Sequence, residues 1–169
     1  SPVNVLANRQ RLMDSVGLPL ESVVTCEQTH QSNVTVVTSS MRGNGAFTHD
    51  SAIPNTDALI TNQPNICIVV MLADCVPVIL YDPKQNALGV VHSGWKGTIQ
   101  GVTVNAVHRM IQAFDSKPED IIAGIGPSIG PNHYEVGPEV AEMTRNSFPH
   151  ADVIKDSNRL HPPFSYKQR

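Results

Sequence analysis

Apolar residues along this chain recur with two different periods, and the changes from one to the other mark out its elements. Val5, Leu6, Arg9, Leu12, Met13 and Val16 return at three- and four-residue steps and Gly17 follows as a stop, which predicts a helix over 4–16. Over 22–28 the period shortens to two. Val24, Cys26 and Gln28 share one face, and His30 joins them if the strand runs that far. A second β-rich run covers 33–38, and the polar, Gly- and Pro-containing stretch 39–55 is expected to be a mobile loop. Segments 58–61, 66–72, 78–81 and 88–92 read as strands, with Asp82-Pro83-Lys84-Gln85-Asn86 turning the chain between the last two. A long helix is expected over 98–114, a strand over 121–125, and a helix opened by Pro138 and running to about 146. Strands outnumber helices and several connections are short, which favours antiparallel pairing. The expected fold is α+β: one layered domain in which a mixed β-sheet is covered by helices.

Composition narrows the class. With 169 residues, 40% of them hydrophobic, the chain can build one sizeable core and does not require a second domain. Twelve basic and fifteen acidic side chains give a formal charge of -3, with no basic tract or arginine-rich stripe, so no nucleic-acid partner is expected. The longest apolar runs, such as 66–73, are far too short to span a bilayer, and Ser1 does not open a secretory leader. The expected location is cytoplasmic, with no membrane partner. An odd set of cysteines, Cys26, Cys67 and Cys75, without framework spacing suits reduced thiols. No feature sets an oligomeric state.

The chemistry gathers in three segments: Gln28-Thr29-His30, Ala73-Asp74-Cys75-Val76-Pro77, and Val91-His92-Ser93-Gly94-Trp95-Lys96-Gly97. Each sits where a strand ends, the kind of place where a fold brings distant side chains to a common rim. Two imidazoles and a thiolate suit a soft or borderline metal such as zinc or copper, and three protein ligands leave one position open for water or substrate. The ligand set is therefore His30, Cys75 and His92. His49, His108, His150 and His161 read as ordinary loop or helix histidines, with His133 intermediate; Cys67 and Cys26 read as small buried thiols. Asp74 either orients a ligand or a ribose hydroxyl, or bonds backbone at a strand end. Trp95 either stacks a base or, as is commoner for a lone tryptophan beside a turn, packs in the core. Gly94 to Gly97, just ahead of the expected helix, either bind an anion through free N–H groups and Lys96 or simply permit a tight turn. The loop Gly124-Ile125-Gly126-Pro127-Ser128-Ile129-Gly130-Pro131 is not a dinucleotide fingerprint, because its prolines and the lack of an immediate helix argue against one.

The segments EQTH, NTDALIT, MLADCVPVILYDP, GVVHSGWKGTIQGV and GIGPSIGPNHYEVG together resemble the family once described as multicopper polyphenol oxidases or laccases, whose bacterial members are called YfiH or YlmD. The likeness runs from about Val5 to Val140. It implies a YfiH-like fold related to Cys/His hydrolase folds, a metal site on His30, Cys75 and His92, and purine nucleoside phosphorylase activity on adenosine, inosine, guanosine or methylthioadenosine with phosphate. Adenosine deaminase activity is attributed to the same family. On this reading Cys75, His92 and Asp74 are the catalytic groups, Gln28, Lys96 and Tyr134 contact substrate, and zinc is the cofactor, with copper as the other candidate.

Two other readings stay open. Cys75 could be a nucleophile with His92 as its base, acting on an amide or peptidoglycan precursor, or the chain could be a metal-binding module without chemistry, although a structural zinc takes four ligands. Copper oxidase chemistry needs several grouped histidines and ranks last. The chain departs from the family pattern in three places: it begins near the first helix, without the family's preceding strand; Pro163-Phe164-Ser165-Tyr166-Lys167 follows Tyr134-Glu135-Val136 too soon, so a segment near 156–163 is expected to be missing; and Asn132-His133 stands where many relatives have cysteines.

Overall fold

The computed structural model describes residues 2–130, 132–151, 154–155 and 159–160. In chain order the elements are α1 (Pro2–Ser15), β1 (Val23–Thr25), β2 (Val34–Val36), β3 (Ala58–Thr61), β4 (Cys67–Val69), β5 (Val76–Asp82), β6 (Ala87–Ser93), α2 (Trp95–Ile99), α3 (Val102–Phe114), β7 (Ile122–Ile125), α4 (Pro138–Ser147), β8 (Ile154–Lys155) and β9 (Arg159–Leu160).

A five-stranded sheet in the order β2-β3-β6-β5-β7 forms the middle layer. β3, β6, β5 and β7 are antiparallel neighbours, as short connections favour, whereas β2 runs parallel to β3, and β1 and β4 form a separate parallel pair. The β5–β6 hairpin turns where expected: Asp82 Oδ1 accepts the backbone N–H of Lys84 at 2.8 Å and of Gln85 at 3.1 Å, capping the bend. Strict alternation along β5 sends Val76, Val78 and Leu80 to one face. There they meet Val102, Ala106, Met110 and Phe114, a four-residue stripe down α3, together with Ala58, Ile60 and Val91. On the opposite face Leu59 packs with Val24, Cys26, Val37 and Ile53, so the β1–β4 pair forms the third layer.

Three expectations need correction. The strand expected over 22–28 stops at Thr25, continues only as a single bridge from Cys26 to Ile53, and gives way to a turn with His30 at φ 58°, so His30 does not extend the strand face. Segment 39–55 is pinned rather than loose. Gly43 and Asn44 bond to Val23 and Thr25 of β1, Ile53 bonds to Thr25, and Ala46 is fully buried, because β1 is short of partners on that side. The helix expected over 98–114 starts three residues earlier and is two helices, broken at Gly101 with φ 76°. A left-handed residue cannot continue an α-helix, and glycine adopts that conformation without steric cost. Helix α1 forms as expected, but only Met13 of its apolar stripe is buried. The expected gap near 156–163 and the segment 163–167 lie almost wholly outside the described residues, as does His161. Among the described residues no helix is long and apolar enough to cross a membrane.

Candidate metal centre

Strand register brings two of the donors together. Pro77 of β5 stands opposite His92 of β6 and Val76 opposite Ser93, so Cys75, the residue before β5, arrives beside the end of β6. The left-handed turn after β1 delivers His30 to the same corner. The ligating atoms of His30, Cys75 and His92 lie within 4.8 Å of one another, and the two imidazoles meet nearly at right angles with centroids 4.7 Å apart. His92 is buried, Cys75 half-buried and His30 exposed, so the group opens to solvent on the His30 side. It is the one such group among the described residues.

Behind the imidazoles stands Asp57, at the start of β3 and fully buried. Its Oδ1 lies 2.8 Å from His92 Nδ1 and 2.9 Å from the backbone nitrogen of His30. Its Oδ2 accepts the N–H groups of Gln31 at 2.8 Å and Thr29 at 3.2 Å. Burial pushes the Asp57 carboxyl up, but the bonds from Gln31, His92, Thr29 and His30 outweigh burial and hold it below the ordinary aspartate value. Asp57 is therefore a carboxylate at neutral pH, placed to accept from the ring nitrogen of His92 that faces it.

The donor set fits a borderline metal on two independent grounds. Two imidazoles and a thiol are the ligand types that zinc and copper take. Gly94 also leaves room beside all three: a Cβ placed there would lie 3.1 Å from His30 Cδ2, 3.3 Å from Cys75 Sγ and 3.7 Å from His92 Cε1. Burial, then the charges of Asp74 and Asp57, push the Cys75 thiol above its ordinary value. Without a cation the thiol keeps its proton, so metal uptake has to release it.

The remaining predicted residues divide. Tyr134 is half-buried, and its hydroxyl is pushed up by burial and then by the charges of Cys75 and Asp74, which brings it into the electrostatic neighbourhood of the donors. The backbone carbonyl of Asp74 accepts the N–H of Ile129 at 3.1 Å, tying the Gly/Pro loop to the cysteine corner, while its carboxylate is exposed. Gln28 is engaged structurally: its amide nitrogen donates to Met71 O and its amide oxygen accepts from Met71 N, both at 2.7 Å, so it behaves as an extra strand rung. Lys96 is exposed in the first turn of α2. Gly94 to Gly97 are thus largely helical rather than a loop ahead of a helix, and Gly97 is held close to the Gln31 carbonyl, 2.7 Å from where a Cβ would stand. His49, His108, His133 and His150 are exposed and outside the cluster. Burial, then the charge of Asp57, pushes the Cys26 thiol up to about 12, and Cys67 packs partly buried beside Met13, Leu20, Val23 and Ala46. Asp57 is what sequence reasoning missed. It stood in view within NTDALIT, but an acidic residue before a strand has no pattern of its own that links it to a histidine 35 positions later.

Comparison with known proteins identifies the family. Residues 1–166 match the family described as multi-copper polyphenol oxidoreductase laccase. The chain is 37% identical to purine nucleoside phosphorylase YlmD of Geobacillus stearothermophilus, over 93% of this chain and 62% of that protein, and 38% identical to purine nucleoside phosphorylase YlmD of Bacillus subtilis, over 84% and 51%. The crystal structure of Bacillus licheniformis hypothetical protein YfiH superimposes with a TM-score of 0.89 at 35% identity, covering 96% of this chain and 62% of that one. That of YlmD from Geobacillus stearothermophilus gives 0.90 at 33% identity, covering 95% and 62%. The chain spans between half and two thirds of the length of these relatives. On fold, motifs and family match alike, the chain belongs to the laccase-like YfiH/YlmD family.

Proposed function

We propose that this chain carries the metal-holding site of a purine nucleoside phosphorylase, splitting adenosine, inosine, guanosine or methylthioadenosine with phosphate into free base and ribose 1-phosphate. The observation that carries the reading is the convergence of His30, Cys75 and His92 beside a glycine, with one side open to solvent. The names of the relatives supply the substrate class. In the reaction a phosphate oxygen bonds to the ribose C1 carbon as the bond from C1 to the base breaks, and the base leaves with the electron pair and takes up a proton. Orientation and charge stabilisation are therefore the main demands on the protein. Lys96, exposed and two residues after Gly94 in the chain, offers a cation for phosphate. Tyr134, whose hydroxyl stays protonated, offers a hydrogen-bond donor to a sugar or base oxygen. The exposed Asp74 carboxylate offers an acceptor for ribose hydroxyls.

Zinc, or copper in its place, would be held by His30, Cys75 and His92 and would supply Lewis-acid polarisation at the open position. Adenosine deamination belongs to the same proposal, as a second outcome at that site.

The test is incubation of metal-quantified protein with adenosine, with and without phosphate, followed by separation of adenine, inosine and ribose 1-phosphate. Adenine and ribose 1-phosphate appearing together, only with phosphate, support the proposal; metal-loaded protein that forms neither refutes it. The Cys/His hydrolase reading draws on one observation, that Asp57, His92 and Cys75 stand in the order of a carboxylate, an imidazole and a thiol. Against it, burial and then the charges of Asp74 and Asp57 push the thiol up and so disfavour the nucleophilic thiolate. An acyl adduct on Cys75 would reverse that ranking.

A further inference from the structure

We infer that Asp57 is the positioning residue of the donor set, fixing the place of His30 and the tautomer of His92 through a single buried carboxylate; the inference rests on the metal-holding reading above. Three successive backbone N–H groups, those of Thr29, His30 and Gln31, converge on its two oxygens at 3.2, 2.9 and 2.8 Å. That convergence bends the chain around the carboxylate and holds His30 in its left-handed conformation, φ 58°, which carries the side chain to the cluster. The same Oδ1 that receives the His30 N–H lies 2.8 Å from His92 Nδ1. The main chain adds a further tie, because the His92 N–H donates to the Asp57 carbonyl at 2.8 Å. A carboxylate only accepts, so the His92 proton sits on Nδ1 and the Nε2 lone pair faces the cluster. Cys75 has no bond to Asp57 and is placed by the register of β5 on β6.

Asp57→Asn separates this role from mere filling of space. An amide of the same shape keeps one accepting oxygen. With that oxygen toward His92, the NH2 group would oppose the N–H groups of Gln31 and Thr29. With the amide reversed, only the His30 N–H is opposed, and His92 must then accept at Nδ1 and carry its proton on Nε2, where the metal would bind. The second arrangement leaves fewer donors facing each other.

The experiment records the long-range proton–nitrogen correlation of the histidine rings in metal-free protein and the zinc dissociation constant by competition with a chromophoric chelator, for the unaltered chain, D57N and C75S. The expected result is Nδ1–H at His92 in the unaltered chain, Nε2–H in D57N, and zinc held about 10- to 100-fold more weakly by D57N. C75S should weaken zinc without changing the His92 tautomer. Nε2–H at His92 in the unaltered metal-free chain overturns the inference, as does D57N binding zinc within about twofold of it. If D57N does not fold, the tautomer in the unaltered chain decides alone. Neither measurement uses a nucleoside, so absence of phosphorolysis would defeat the proposed function without touching this result.

Discussion

Gly94→Ala adds one methyl group at the centre of the donor cluster and little else. Gly94 has φ -69° and ψ 164°, an extended conformation that alanine adopts freely, so the backbone bears no new strain. The new Cβ would stand 3.1 Å from His30 Cδ2 and 3.3 Å from Cys75 Sγ, distances that require those side chains to yield by a few tenths of an ångström. Metal–ligand distances tolerate only about 0.2 Å. In the metal-free protein the exposed His30 ring can swing away, so the clash costs little until all three donors have to close on one ion. Overpacking of this kind costs about 1–3 kcal/mol. At about 1.4 kcal/mol per tenfold, that is roughly five- to hundredfold weaker metal binding. Competition for zinc against a chromophoric chelator measures the affinity, and thermal melting in the presence of EDTA measures the fold. The expected result is lowered affinity with a melting temperature changed by no more than a few degrees. Unchanged zinc affinity would show that the three donors do not close around the space beside Gly94, and the site geometry would have to be abandoned.

Other consequences can be measured as directly. His30→Ala, Cys75→Ala and His92→Ala should each lose bound metal and nucleoside turnover together, with metal content read by elemental analysis; full turnover by C75A would remove the site. Chelation at mildly acidic pH should strip the metal faster than at neutral pH, because the Cys75 thiol, raised by burial and then by its acidic neighbours, recaptures its proton readily. For Cys26 the folded value of about 12 lies above the ordinary 9.0. The unfolded chain therefore loses this proton first, so the contribution is fully present below pH 9 and is lost as pH rises toward 12. Denaturant melts in that window should show C26A falling less steeply with pH than the unaltered chain. Met110→Ala should cost about 2–5 kcal/mol in urea unfolding, since Met110 is fully buried where α3 meets the sheet. A loss under about 1 kcal/mol would contradict that packing.

Most strands were legible because each follows one short-range rule. The segment 58–61 coincides with β3, and β5 and β6 differ from their expected bounds by at most two residues at either end, since alternation and the Asp82 turn are local properties of the chain. The failures have tertiary causes. Segment 39–55 looks loose by composition and is ordered because β1 needs hydrogen-bond partners. The 98–114 helix looks continuous by its apolar period and breaks because Gly101 turns left-handed between two helices.

At the site, residue type together with the motif segments that hold them nominated His30, Cys75 and His92, because few side chains bind soft metals. Their meeting was another matter. It depends on β5 pairing with β6 so that Pro77 faces His92, and on a left-handed turn that strand periodicity would have placed differently. The part of Asp57 lay beyond any linear reading, because a carboxylate becomes an orienting group only when burial removes water and four donors from distant segments are left with it alone. Sequence by itself determined which chemistry the chain could support, since that follows from the functional groups present. Tertiary structure decided where those groups meet and which nitrogen faces the cluster, since distance and burial are properties of the folded chain.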